Sequence, residues 1–343
     1  MRHLYIPTNT AEPTTLPEGS QTLHLQGSSM GTTWCVQLIG KTNLTADMLQ
    51  QGLQYQLDQV DRQMSTWDIN SDLCRFNRAA AGTWCRLPEA FCQVVDYAIY
   101  LARQTAGAYD PAAGKLVDLW GFGPQPRSSA FPNAARIMQA MAGHGWRDLQ
   151  FERHAARLFQ PGGVSLDFSS IAKGYAVDQL ARFLDAQDVP SYLIEVGGEL
   201  RGRGIKQDHS PWWIRIEQAD GQSSTDKTAH ESESGSEHLI ALHELSIATS
   251  GNYRQFFDHE GRRYSHTIDS RTGYPVDNKL VSVSVLHREC MIADALATAF
   301  TVMGYENAIA YANQHEIAAL FTQQQNNTIS ETRSRAMSAM LEE

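Results

Sequence analysis

Residues 165–178 read SLDFSSIAKGYAVD. The apolar run VSLDF ends here, and a predicted helix takes over and continues to about residue 187. The junction holds a carboxylate at Asp167, hydroxyls at Ser169 and Ser170, then Lys173 and Gly174. The first turn of a helix presents unpaired N–H groups that suit a phosphate. Lys173 can reach an anion, and Asp167 can accept hydrogen bonds from a ligand's N–H or hydroxyl groups. An ordinary capped helix with a solvated lysine fits the same letters, so a second piece is needed before the segment means a site.

That piece lies far downstream, in IADALATAF at 292–300. Asp294 and Thr298 stand four residues apart on a predicted helix, so both side chains leave one face. Two adjacent oxygen donors suit a hard cation such as magnesium. An aspartate solvating the helix start and a threonine packing below it would have the same spacing.

The remaining chain alternates irregularly between the two periodicities. TADMLQQGLQYQLDQVDRQMS has a capping Thr45, and its apolar residues Leu49, Leu53, Leu57, Val60 and Met64 are spaced as on a helix. EAFCQVVDYAIYLARQTAG, AARIMQAMAGHG, CMIADALATAFTVMG and YENAIAYANQH also read as helices. TLHLQGSSMGTTWCVQLIG reads as two strands around a Gly/Ser turn, and SYLIEVGGEL, WWIRIE, LIALHE, LVSVSVLH and EIAALFT read as strands. Without strict alternation the pattern predicts an α+β fold, with a mixed, largely antiparallel sheet core flanked by helices. One domain is expected over 21–323, between polar tails at 1–20 and 324–343. Residues 219–238 have almost no large apolar side chains and are expected to be a disordered acidic insertion.

Composition narrows the chemistry. The 343 residues carry a net charge of -10, which argues against non-specific nucleic-acid binding. Five cysteines without a Cys-x-x-Cys pair argue against a disulfide framework or thiolate zinc site, and buried free thiols are expected. No segment approaches the ~20 apolar residues of a membrane helix. No signal peptide or lipoprotein cysteine is visible, so a cytoplasmic location is expected, or the periplasmic face of the inner membrane if a leader was removed. Three motifs fail on spacing. GKT at 40–42 has Cys35 where a phosphate loop needs glycine, GGELRGRG lacks the dinucleotide spacing, and HELSI has Ile247 where a zinc helix needs histidine.

Two other stretches are rich in polar and aromatic residues. MSTWDINSDLCRFN places Trp67 in a loop, either to stack on a planar ring or to cover a core edge. YSHTIDSRTGYP carries His266, a candidate general base or a structural histidine.

Taken in chain order, GSSMGTTW, MSTWDINSDLCRFN, AGAYDPAAGKLVDLWGFG, SLDFSSIAKGYAVD, YLIEVGGELRGRG, SIATSGNYRQFF, YSHTIDSRTGYPVDN and IADALATAFTVMG resemble the FAD:protein FMN transferase family, the ApbE-like flavin-trafficking proteins. The resemblance spans about residues 22–322. It implies binding of FAD and Mg2+, transfer of the FMN half to a Thr or Ser hydroxyl of an acceptor flavoprotein, and release of AMP. It implies metal ligation by Asp294, Thr298 and the Ser170 carbonyl. Flavin contacts would come from Met30, Trp67, Ala108, Tyr109, Asp110, Asp167, Lys173 and Ile268. His266 and Asp294 would be the catalytic residues, His266 as base. Trp67 stands where many relatives have tyrosine, so stacking is kept and a phenol is lost. Family acceptors are often respiratory membrane subunits or flavinylated reductases. Hydrolysis of FAD to FMN and AMP, or flavin carriage without turnover, are the alternatives.

Overall fold

A computed structural model describes residues 2–7, 10–125, 131–142, 145–217, 237–252, 256–325 and 328–342. Its framework is an eight-stranded, wholly antiparallel sheet whose spatial order follows the chain. The strands are β1 (Gln21–Ser29), β2 (Thr32–Gly40), β3 (Ser191–Val196), β4 (Glu199–Arg203), β5 (Leu245–Gly251), β6 (Leu280–His287), β7 (Ala318–Gln325) and β8 (Thr328–Arg333). Met30 and Gly31 join β1 to β2 with φ of 52° and 72°, and Gly197 and Gly198 join β3 to β4 with 59° and 97°. Consecutive positive φ values match the right-handed twist of the flanking strands.

Side-chain alternation divides the interior in two. Tyr192, Ile194 and Val196 of β3, Val283 and Val285 of β6, and Ala319 and Phe321 of β7 face the main core. Leu193, Leu286 and Leu320 face a second core on the opposite side. Over the first face lie α1 (Ala46–Met64), α2 (Glu89–Gln104), α3 (Ala172–Asp185) and α4 (Cys290–Met303). α1 starts where Thr45 Oγ1 accepts from Met48 N–H, and it buries Leu49, Leu53, Leu57, Val60 and Met64, as the periodicity predicts.

The opposite face is covered by a three-stranded sheet of Arg2–Tyr5, Glu237–Leu242 and Trp212–Arg215. This corrects the expectation of a polar tail over 1–20. Arg2–Tyr5 pairs in parallel with Glu237–Leu242, and the fully buried Tyr5 bonds His238 Nδ1 at 2.9 Å. The expected tail at 324–343 is corrected as well. β8 closes the main sheet, and Ser334 caps the short Arg335–Ser338 helix, which buries Met337. At both ends a few buried side chains, Tyr5 at one and Met337 and Met340 at the other, do what the polar average hides. Of the expected insertion at 219–238, Glu237 and His238 belong to a strand, and 219–236 lie outside the described residues. All five cysteines are free; Cys92 and Cys290 are buried, and Cys35, Cys74 and Cys85 are half-buried rather than buried.

The packing of α3 on α4 positions everything that follows. The side chain of Glu289, at the N-terminus of α4, makes no capping bond. Asp178 of α3 supplies the cap instead, accepting the N–H groups of Cys290 at 3.0 Å and Met291 at 2.9 Å. Arg201 Nη1 closes the other side, 2.8 Å from Asp178 Oδ1 and 2.8 Å from the Arg288 carbonyl. One turn earlier in α3, Gly174 lets the helices touch. A Cβ there would lie 2.4 Å from the Cys290 carbonyl oxygen and 2.8 Å from Asp294 Cβ.

Gly174→Ala therefore forces the helices apart against a rigid backbone. A loss of about 1–3 kcal/mol, the usual range for overpacking, is expected in urea unfolding. Wild-type stability in this variant would show that α4 yields freely at that crossing.

Candidate active site

Where α3 begins, its first turn meets one face of α4. Asp294, buried in the second turn of α4, accepts the Gly174 N–H at Oδ2, 3.0 Å away. Thr298 follows one helical turn later and is half-buried. Ser170, just before α3, donates its hydroxyl to Tyr109 Oη at 3.3 Å. Tyr109 is itself buried, and burial pushes its phenol far above the ordinary range. The Ser170 bond opposes this, while the nearby carboxylates of Asp294, Asp167 and Asp110 add to it. One tyrosine thus has three of the sequence-predicted carboxylates and a predicted serine around it.

The loop that carries Tyr109 is docked on the segment before α3. Asp167 N–H donates to the Pro111 carbonyl at 2.9 Å, and Gly114 N–H to the Ser165 carbonyl at 3.0 Å. The Asp167 carboxylate accepts the backbone N–H of Ser169 at 2.9 Å and also its hydroxyl. The Asp110 carboxylate accepts from Ala112 N–H at 2.8 Å and is bonded by Ser270 and Trp146 N–H. Its carboxyl is still raised, chiefly by burial. Ala108, buried beside them, contributes backbone and little else.

The oxygen donors fit a hard cation. Asp294 brings one charge, and Thr298 and the Ser170 carbonyl bring neutral oxygens. Among the described residues there is no group of three or more His, Cys, Asp or Glu that could hold a metal. A cation on this set would be held weakly by the protein, with coordination positions left for ligand oxygens.

Lys173, in the first turn of α3, points to the sheet, with Nζ 2.5 Å from Glu199 Oε1. Met30 sits half-buried against the main core in the β1–β2 turn. Ile268 belongs to a third apolar cluster with Leu116, Trp120 and Ile137. His266 is half-buried, its ring edge-on to Phe122 at 6.2 Å between centroids. Trp67 stands outside this packed group. Ser65 Oγ accepts the N–H groups of Trp67 and Asp68 and shapes the loop, yet the indole is 70% exposed. It covers no core edge.

Asp118 escaped the sequence reading although it lies inside a quoted motif, KLVDLWGFG. Burial, with Asp167 nearby, raises its carboxyl to about 6, and the Gln125 N–H opposes the rise. A Cβ at Gly123 would sit 1.9 Å from Asp118 Oδ1, so any larger residue there would displace the Asp118 carboxyl. Phe122, the neighbour of His266, lies in the same turn. Aspartates are common enough that nothing in the letters singles this one out.

A carboxyl held above its ordinary value favours the folded chain while it is protonated. That stability is present below pH ~4 and is lost as pH rises through about 6. Asp118→Asn is expected to remove this fall from the unfolding free energy measured between pH 4 and 7. An unchanged pH slope in the variant would contradict the burial of the charge.

The ApbE family model matches residues 30–321. The FAD:protein FMN transferase of Vibrio cholerae is 37% identical over 302 residues, covering 88% of this chain and 87% of that protein. Among solved structures, the flavin transferase ApbE from Vibrio cholerae matches with a TM-score of 0.84 at 35% identity, over 94% of this chain and 99% of that one. The apo flavinyl transferase ApbE of Pseudomonas stutzeri also gives 0.84, at 34% identity, over 94% and 97%. The sequence match over most of the chain and the shared antiparallel sheet lead to one conclusion: the chain belongs to the ApbE family.

Proposed function

We propose that this chain is an FAD:protein FMN transferase, moving the FMN half of FAD to a Thr or Ser hydroxyl of an acceptor protein. The observation that carries the reading is the Gly174–Asp294 contact, which brings the anion-suited start of α3 against the oxygen donors of α4. The names of the related enzymes support the reaction class.

In this reading the acceptor oxygen attacks the flavin-side phosphorus of the pyrophosphate. A new P–O bond forms, the P–O bond to the adenylate breaks, and AMP leaves with the bridging oxygen. His266 takes the hydroxyl proton, and Phe122 packs on its ring. Asp167 and Lys173 bind and orient the flavin half. Trp67, exposed in its loop, is free to stack on a planar ring. Asp294, Thr298 and the Ser170 carbonyl would hold Mg2+, which when bound neutralises charge developing on the phosphate oxygens.

The test is incubation with FAD, Mg2+ and an acceptor protein carrying a candidate threonine. The expected outcome is a mass gain of one FMN on the acceptor, matched by AMP release. AMP without modified acceptor would point to hydrolysis, and equal affinity for FAD and riboflavin would count against the whole assignment. Asp294→Ala is expected to regain activity at high Mg2+, because its deficit is one of occupancy. His266→Ala should lose ~10²–10⁴-fold in rate at any Mg2+ concentration while still binding FAD. Trp67→Ala should weaken FAD binding by roughly 0.5–1.5 kcal/mol in a titration, the value of one aromatic stack.

A further inference from the structure

Glu199 has no part in the reaction as drawn, yet its position assigns it one. It opens β4 directly after the Gly197–Gly198 turn, and its side chain is only 2% exposed. Lys173, its partner at 2.5 Å, is 29% exposed. The lysine therefore sets its charge against a buried carboxylate and keeps part of its surface open. Its stem also runs past Gly197, where a Cβ would lie 3.3 Å from Lys173 Cδ and 2.9 Å from Thr32 Cγ2. Thr32 directly follows Met30 and Gly31, so the lysine lies close to both the β1–β2 and the β3–β4 turns.

A lysine side chain normally loses much rotamer freedom when it meets a ligand. Here the ion pair and the glycine passage have already ordered it, which is how preorganisation strengthens binding. A buried carboxylate is costly unless paired, so Glu199 in turn depends on Lys173. We propose that Glu199 is a positioning residue for FAD binding, fixing Lys173 at the start of α3 so that its ammonium meets the ligand already oriented. The proposal rests on the reading of Lys173 as an FAD contact.

The test is a double-mutant cycle with FAD titrated at fixed Mg2+ into wild type, Glu199→Gln, Lys173→Ala and the double variant. Glutamine keeps the shape and an acceptor but removes the charge. Glu199→Gln is expected to weaken FAD binding roughly tenfold beside Lys173 and less than twofold once Lys173 is alanine. Equal losses in the two backgrounds, or no loss in either, overturn the role of Glu199 while leaving the transferase reading standing. A wild-type chain that binds no FAD overturns both. Thermal melts accompany each variant. If Glu199→Gln unfolds, Glu199→Asp is measured in the same two backgrounds, where a loss dependent on Lys173 is again expected and an independent loss overturns the proposal.

Discussion

Asp178 reaches out of α3 to hold the first N–H groups of α4, and Arg201 completes its shell. The start of a helix leaves donors that something must satisfy. Here a side chain from a neighbouring helix satisfies them, so the cap is also the joint between two elements. Burial pushes the Asp178 carboxyl up, while the two N–H donors and Arg201 pull it back. The bond fixes how far α4 slides and turns against α3. One turn away the contact is returned, as Gly174 donates to Asp294. The oxygen donors of α4 and the first turn of α3 are held in register by this exchange.

The same joint explains an inert thiol. Cys290 is fully buried, and burial holds its thiol well above the usual range, with Asp178, Glu199 and Asp294 adding to the effect and Arg201 opposing it. A thiol that stays protonated is a poor nucleophile and a poor metal ligand. The chemistry at this crossing is thereby left to oxygen. Carboxylates gather here because helix ends and cationic side chains are present to receive them: Asp178 meets Arg201, and Glu199 meets Lys173.

Much of this was legible in the letters, and the reasons for the rest are physical. The apolar period of α1 named each of its five buried residues, because a helix repeats its environment every turn. The meeting of 165–178 with 292–300 was suggested by residue type, and the contact between Gly174 and Asp294 follows it. Asp178 closed the quoted stretch and still went unread as a cap, since its partners lie 112 and 113 residues away. The chain ends misled for the opposite reason. Tyr5, Met337 and Met340 are a few apolar residues in largely polar chain ends, and composition averages them away although each is buried. Strand order was also beyond reach, because a simple meander is hidden when its turns are replaced by long excursions.

Those excursions have a consequence for assembly. Hairpins β1–β2 and β3–β4 close over short turns, whereas β2 meets β3 only after the chain between Gly40 and Ser191 has returned. The entropy of closing a loop grows with the logarithm of its length, so a long detour costs little more than a moderate one. The detour can therefore change length without disturbing the ladder on either side. What it must preserve is the packing of α1 and α2 on the sheet, the docking of the Tyr109 loop, and the arrival of Lys173, Gly174 and Asp178 beside α4. Length variation among chains of this architecture should fall in the connections between those elements rather than within them.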